Sequence, residues 1–219
     1  MLLKNQLSIK HIIKKSGNGN ILFLMIHGYG SNERDLFSFQ KDLPEEFFVI
    51  SIQGIYSVGL DKYSWYDIDF DNKKNFLNII QAKKTIEKIS FFIHEAIEEY
   101  QLKKNSVWVC GFSQGAILSY AIALQNSDQI KKVIALSGYL ENSLLKKEMN
   151  YDLSNLEFFI SHGKYDTIIP IYWVKKGLQF LKQKKILSLF YKEYESGHTL
   201  NDMNYQDLIN WIKEKYIYE

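Results

Sequence analysis

Short apolar runs separated by polar stretches recur along this chain of 219 residues. Runs such as 21–26 and 107–110 contain no charged residue, which is typical of strands buried on both faces of a sheet. Residues 7–14 alternate between apolar and polar positions, which also indicates a strand. The pattern predicts strands at 7–14, 21–26, 47–52, 107–110, 132–137, 156–160 and 186–191.

Longer segments between these strands carry apolar residues at helical spacing. In residues 76–100 isoleucine and phenylalanine recur among charges, which predicts an amphipathic helix that returns the chain to the next strand. Residues 116–124 are apolar enough to predict a buried helix. Further helices are predicted at 35–43, from Pro170 to about Lys182, and at 203–216.

Strands therefore alternate with helices along the chain. This order predicts an α/β fold with a mainly parallel, twisted sheet, helices on both of its faces, and ligands bound beyond the carboxyl ends of the strands. A turn at 16–20 is expected to fold the first two strands into a hairpin. Because the chain has two prolines and no Pro-, Ser- or Gly-rich linker, residues 1–219 are expected to form one domain.

One long stretch, residues 53–71, is irregular and rich in Gly, Tyr and Asp. Irregular stretches of this length in compact domains are often functional, so we expect it to pass over the site. Trp65 lies within it. Its side chain could line an acyl pocket, and a place in the core is an equal alternative.

The balance of charged residues does not indicate a nucleic-acid partner. The chain has 27 basic and 25 acidic residues, for a formal net charge of +2. Arg34 is the only arginine, so the bidentate guanidinium contacts that favour phosphate and guanine are nearly absent. Nucleic acid is therefore not an expected partner.

Cys110 is the only cysteine, which excludes an internal disulfide and a zinc cluster of thiolates within the chain. A reducing compartment is expected. Residues 1–5 lack the apolar run of a signal peptide, and no apolar segment approaches the length that spans a membrane. The sequence thus predicts a cytoplasmic protein without integral membrane association.

A candidate nucleophile lies between the strand at 107–110 and the helix at 116–124. The segment there reads Gly111-Phe112-Ser113-Gln114-Gly115, and a strand that reverses into a helix so quickly leaves no room for Cβ atoms beside the turn. This nucleophile elbow would present Ser113 Oγ and direct the backbone N–H of Gln114 at a developing oxyanion. The alternative is a tight turn with a capping serine.

Serine needs a base and a group that orients the base. Asp166 follows one predicted strand and His198 follows the next, which gives the chain order Ser113, Asp166, His198 expected of α/β hydrolases. His162 remains an alternative base, and Glu141 an alternative orienting acid. The five histidines show no metal-binding H-E-x-x-H pair.

The loop after the strand at 21–26 reads His27-Gly28-Tyr29-Gly30. Its glycines let backbone N–H groups face a ligand, so the amide of Tyr29 is expected to supply the second half of the oxyanion hole. His27 precedes the loop, and it is expected to make structural hydrogen bonds rather than to act as a base.

Taken together, several segments resemble the phospholipase/carboxylesterase family, which includes the acyl-protein thioesterases. The resemblance spans nearly the whole chain and implies a minimal α/β-hydrolase fold without a large lid, a triad of Ser113, Asp166 and His198, and oxyanion donors at Tyr29 and Gln114. The matching segments are 27–33, 111–115, Trp65-Tyr66-Asp67, Ser137-Gly138-Tyr139-Leu140, His162-Gly163 to Asp166, Pro170 and Gly197-His198.

This sequence departs from the family at one place. Family members commonly have Ala-Pro after the strand that ends near Ile52, whereas this chain has Gln53-Gly54-Ile55. Together with the bulky Trp173, that difference leaves the shape of the pocket open rather than the chemistry.

Two hypotheses from different classes follow. The first is a serine hydrolase that cleaves a small carboxylic ester or another acyl substrate, including thioesters or lysophospholipids, without a cofactor or metal; Trp65, Gly28 and Tyr139 are its expected substrate contacts. The second is a catalytically silent α/β-hydrolase module that binds a ligand or a protein. A peptidase or a dienelactone-type hydrolase also stays open, because a fold does not determine a substrate. A homodimer is possible through exposed aromatic residues, although no stretch indicates one.

Overall fold

The computed structural model describes residues 7–17, 19–72, 76–146, 152–186 and 188–217. Residues 1–5 and positions 18 and 187, which fall in the predicted N-terminal segment, turn and last strand, lie outside this description. Within the described residues, seven strands form the main sheet: β1 His11–Lys14, β2 Ile21–Ile26, β3 Phe47–Ile52, β6 Val107–Phe112, β7 Ile130–Leu136, β8 Glu157–Gly163 and β9 Ser188–Tyr194. Across the sheet they lie in the order β1-β3-β2-β6-β7-β8-β9.

All neighbouring strands of this sheet run parallel except β1, which pairs antiparallel with β3. The predicted hairpin between β1 and β2 is therefore wrong. Both edges of β2 are occupied by parallel partners, β3 and β6, so β1 pairs with the outer edge of β3 instead. The mainly parallel sheet with helices is confirmed.

The helices cover both faces of the sheet. They are α1 Ile79–Tyr100, α2 Gln114–Gln125, α3 Ile171–Gln183 and α4 Asp202–Tyr216. Successive side chains of a strand point to opposite faces, and in β2 Leu22 and Leu24 join the core under α1, α2 and α3, whereas Phe23 and Met25 join the core under α4. Burial on both faces explains the uninterrupted apolar runs in the sequence.

Two segments between strands differ from the prediction. Residues 35–43 hold only a short 3₁₀ helix, Leu36–Lys41, in which Leu36 is the buried residue. The stretch 53–71 is not irregular throughout, since it contains the hairpin of β4 Tyr56–Gly59 and β5 Lys62–Ser64. Among the described residues, no helix is both long and apolar enough to cross a membrane.

The order of the strands determines where a site can form. From β2 the chain moves outward to β3 on one side of the sheet, and after β3 it crosses back to β6 and continues toward β9 on the other side. The connections after β2 and β6 therefore diverge, and in open parallel sheets ligands bind at such a divergence, beyond the carboxyl ends of the strands. Tyr29 follows β2 and Ser113 follows β6.

Candidate active site

Ser113 lies between β6 and α2 in a sparsely populated backbone conformation, with φ of 52° and ψ of −114°. The glycines on either side allow this turn. A Cβ atom on Gly111 would lie 2.3 Å from the carbonyl carbon of Gly115, and one on Gly115 would lie 2.0 Å from the carbonyl oxygen of Ile26. Neither contact is tolerable, so the sequence forms a strained turn whose geometry requires glycine at both positions.

The side chains of Ser113, His198 and Asp166 form one continuous chain of hydrogen bonds. His198 Nε2 lies 2.8 Å from Ser113 Oγ, and His198 Nδ1 lies 2.6 Å from Asp166 Oδ2. An ionised carboxylate can only accept, so Nδ1 carries the proton and Nε2 is free to accept from the serine hydroxyl. The structure thus brings together the three residues that the sequence singled out.

The side chain of Asp166 is buried, and both of its carboxylate oxygens accept hydrogen bonds. Its Oδ1 accepts from the backbone N–H groups of Ile168 and Ile169, both at 2.9 Å. Burial raises the pKa of Asp166, but the hydrogen bonds from His198 and from the Ile169 amide outweigh it, and the net pKa lies below the usual value. The carboxylate is therefore charged at neutral pH and orients the imidazole.

The loops that carry Asp166 and His198 are joined to each other by backbone contacts. The β8–β9 pairing extends to Gly163 opposite Tyr194, and beyond it Lys164 N donates to Tyr194 O and Tyr165 N to Ser196 O, at 2.8 and 3.0 Å. A Cβ atom on Gly163 would lie 2.0 Å from the carbonyl oxygen of Gly197. Pairing of the two strands thus determines how close Asp166 comes to His198.

The alternative groups are held elsewhere. His162 is fully buried, its Nε2 lies 2.9 Å from the carbonyl oxygen of Ile169 and 3.4 Å from Asp166 Oδ2, and burial lowers its pKa. Glu141 accepts a hydrogen bond from the backbone N–H of Ser143 at 2.9 Å, where it caps a short 3₁₀ helix. Neither side chain has a hydrogen bond to Ser113 or His198 within the described ranges.

His27 makes structural hydrogen bonds, as predicted. Its Nε2 accepts from the backbone N–H of Gly54 at 2.9 Å, so Nδ1 carries the proton and donates to the carbonyl oxygen of Gly28 at 2.6 Å. Burial lowers the pKa of His27 and keeps the ring neutral. This histidine supports the loop that carries Tyr29.

The two expected oxyanion donors flank Ser113. A Cβ atom on Gly28 would lie 3.4 Å from Ser113 Cβ, so the loop after β2 passes directly beside the serine. Gln114 is the first residue of α2, where backbone N–H groups have no acceptor within the helix. Among the described residues, the backbone N–H groups of Tyr29 and Gln114 have no hydrogen-bond acceptor.

Of the two alternatives for Trp65, an acyl pocket and the core, the structure places the side chain in the core. Its side chain is fully buried, and Nε1 donates to the carbonyl oxygen of His27 at 2.9 Å. Tyr139 is also almost entirely buried, and its ring packs against Trp173 with centroids 4.7 Å apart. Trp65 therefore supports the loop after β2 instead of lining a pocket.

A row of aromatic rings near the site was not predicted. Tyr29 packs edge-on against Phe70, Phe70 against Phe76, and Phe76 against Trp173. These residues lie far apart in the sequence, so no periodic pattern of residue types predicts that their rings pack together. Within the described part of the chain, no three His, Cys, Asp or Glu side chains converge to form a metal site.

Comparison with known proteins gives a family match over nearly the whole chain. The family model for Phospholipase/Carboxylesterase matches residues 7–216. The chain is 24% identical to MhqD of Bacillus subtilis over 95% of this chain and all of that protein. It is 28% identical to acyl-protein thioesterase 1 of Kluyveromyces lactis, over 71% of this chain and 70% of that one.

Solved structures share the fold. A crystal structure of a Bacillus cereus carboxylesterase superposes with a TM-score of 0.82 at 18% identity, over 94% of both chains. The esterase PE8 superposes with a TM-score of 0.81 at 22% identity, over 96% of this chain and 99% of that one. The resemblance seen in the sequence motifs is thereby confirmed, and the chain belongs to the Phospholipase/Carboxylesterase family of hydrolases.

Proposed function

We propose that this hydrolase is a serine esterase that cleaves carboxylic esters through an acyl-enzyme intermediate. The observation that carries the proposal is the unbroken hydrogen-bond chain from Ser113 Oγ through His198 to Asp166, at 2.8 and 2.6 Å. A serine hydroxyl is a weak nucleophile unless a base accepts its proton. In this arrangement His198 Nε2 is that base.

In the first half of the reaction, Ser113 Oγ attacks the ester carbonyl carbon while its proton passes to His198 Nε2. The carbonyl oxygen becomes an oxyanion, which the backbone N–H groups of Tyr29 and Gln114 stabilise. Asp166 stabilises the imidazolium without taking its proton. The tetrahedral intermediate collapses, the C–O bond to the alcohol breaks, and His198 returns the proton to the departing alkoxide.

In the second half, water replaces the alcohol. His198 takes a proton from water, the hydroxide attacks the acyl carbon, and the bond to Ser113 Oγ breaks with return of the proton to the serine. The products are a carboxylic acid and the free enzyme. The same steps would cleave a thioester, with a thiol as the leaving group, and the named relatives include acyl-protein thioesterases.

The proposal is tested by labelling with a fluorophosphonate probe. Among the serines that the structure describes, only Ser113 has both a proton acceptor and free amide donors beside it, so the probe should add once per chain, on the peptide that contains Ser113. His198→Ala should abolish labelling while the protein stays folded by circular dichroism. A folded wild-type protein that does not label would support the alternative of a silent binding module.

Substrate size gives a second test. The aromatic row of Tyr29, Phe70, Phe76 and Trp173 borders the site, and no large lid covers it in the described residues. We therefore expect short acyl esters of p-nitrophenol to be hydrolysed faster than long-chain triglycerides. Strong activation by emulsified long-chain lipid would contradict this.

A cytoplasmic location is also proposed, because the sequence has a single cysteine and so no internal disulfide.

A further inference from the structure

The side-chain amide of Gln114 is fully buried and bonded at both ends to residues 65 and 66. Its Oε1 accepts from the backbone N–H of Trp65 at 2.8 Å, and its Nε2 donates to the carbonyl oxygen of Tyr66 at 2.7 Å. Gln114 directly follows Ser113 and offers its own backbone N–H to the proposed oxyanion. The side chain thus connects the nucleophile elbow to the segment that follows the β4–β5 hairpin.

The same segment is bonded to the loop that carries the other donor, Tyr29. Gly30 N donates to Tyr63 O and Tyr63 N donates to Ser31 O, both at 2.8 Å. Two residues further on, Trp65 Nε1 donates to the carbonyl oxygen of His27 at 2.9 Å. The loop after β2 is therefore attached on both sides of Tyr29 to residues 63–65.

The connecting segment is itself held firmly. Thr85 Oγ1, on helix α1, donates to the carbonyl oxygen of Trp65 at 2.6 Å, and the side chains of Trp65 and Tyr66 are fully buried. A Cβ atom on Gly54 would lie 2.7 Å from the carbonyl oxygen of Ser64, so the backbone packs closely there as well. Residues 63–66 form a rigid bridge between the two loops.

The structure assigns the side chain of Gln114 a positioning role: through residues 63–66 it sets the spacing of the Tyr29 and Gln114 N–H groups. This inference rests on the proposed function. Oxyanion donors act when they lie about 2.7–3.1 Å from the developing charge, so a small shift weakens transition-state binding more than binding of the neutral ester. The two donors follow different strands, and the bridge joins their loops.

The test is Gln114→Met, which keeps the length of the side chain and removes both hydrogen bonds. We expect kcat for a short p-nitrophenyl ester to fall roughly 10- to 100-fold, less than loss of a whole donor, with KM changed less than about threefold. Affinity for a trifluoromethyl ketone, whose Ser113 adduct carries the oxyanion, should fall by about the same factor as kcat/KM.

Gln81 provides a matched control. Its Oε1 accepts from the backbone N–H of Asp67 at 2.7 Å and its Nε2 donates to Asp67 Oδ2 at 2.8 Å, so Gln81→Met also removes two hydrogen bonds next to the same segment. Its kcat should stay within about twofold of wild type because neither donor loop is attached to Gln81. Equal losses of kcat in the two variants would overturn the inference.

A second variant covers the case in which Gln114→Met does not fold. Trp65→Phe keeps an aromatic ring and the backbone N–H that bonds Gln114, while it removes the hydrogen bond to His27 and part of the buried ring. It should lower kcat roughly three- to tenfold at constant KM. Wild-type kcat in a folded Gln114→Met or Trp65→Phe protein would overturn the inference. Failure of the proposed function would differ, because the wild-type protein would then lack labelling at Ser113.

Discussion

The ends of β8 and β9 each present a histidine near Asp166, and the two histidines differ in what they can do. His162 is fully buried and its Nε2 is bonded to the carbonyl oxygen of Ile169. His198 lies in the loop after β9 with 20% of its side chain exposed, and its Nε2 faces Ser113 Oγ. A base needs a free lone pair directed at the nucleophile, and only His198 has one.

Location at the carboxyl edge of the sheet does not by itself identify a general base. Both rings lie at that edge and both approach the same carboxylate, at 3.4 Å for His162 and 2.6 Å for His198. What separates them is the nitrogen that does not face the carboxylate: Nε2 of His198 lies against Ser113 Oγ, whereas Nδ1 of His162 is buried without a hydrogen-bond partner among the described residues.

The largest effect should come from His198. His198→Ala and Ser113→Ala should each lower kcat roughly a million-fold, and the double variant should lose little more, because the two side chains act as one unit. His162→Gln should lower kcat less than about a hundredfold, since its amide can still donate to Ile169 O. Similar losses for the two histidines, measured by steady-state hydrolysis, would remove the distinction.

The next effect concerns the acid that the two histidines share. Asp166→Asn should lower kcat by about four orders of magnitude, because an amide favours the wrong tautomer of His198. Glu141→Gln is the control, since Glu141 caps a short 3₁₀ helix and should change kcat little. A large loss in Glu141→Gln would mean that the acid was wrongly assigned. Both rates can be read from the same ester assay.

Two facing glycines test how the loops are held together. Gly163→Ala places a Cβ atom 2.0 Å from the Gly197 carbonyl oxygen and should cost about 1–3 kcal/mol of unfolding free energy. Gly197→Ala meets nothing closer than Tyr165 O at 3.8 Å, so its cost should stay within about 0.5 kcal/mol. Urea unfolding measures both, and equal costs would contradict the close approach.

The smallest effect is a change in how stability depends on pH. Burial lowers the pKa of His162 below its ordinary 6.5. The unfolded chain therefore binds the proton more readily, and stability should fall as pH decreases from about 6.5 through the lower folded pKa. His162→Gln should make this decline shallower in urea midpoints. An unchanged slope would show that the ring does not titrate on unfolding.

Much of the fold was predictable because burial on both faces leaves a strong signal. Strands β2 and β3 have the predicted bounds, 21–26 and 47–52. Strand pairing left no such signal, since β1 pairs with β3 by the availability of an edge and not by its own sequence. The segment 35–43 was overextended because Leu36 and Phe39 recur at a spacing of three, which a 3₁₀ helix also satisfies.

The site likewise contains residues that the sequence could predict and contacts that it could not. Ser113, Asp166 and His198 could be predicted to lie together because each comes shortly after a strand, and the order of strands brings their loops to one edge. Trp65 stayed open between a pocket and the core because a tryptophan in a long loop has the same sequence signature whether it lines a pocket or supports a backbone. Its hydrogen bond to His27, like the two bonds of Gln114, joins residues that no local pattern connects.

The strained backbone of Ser113 lowers the stability of the fold at the residue on which the proposed activity depends. Its φ of 52° and ψ of −114° suit glycine better than serine, and such strain costs on the order of 1–3 kcal/mol. Ser113→Gly would therefore be a stabilising change that removes the proposed nucleophile. In a lineage released from selection for hydrolysis, that substitution would increase the free energy of unfolding. We therefore expect an inactive descendant of this protein to replace Ser113 while it keeps the sheet.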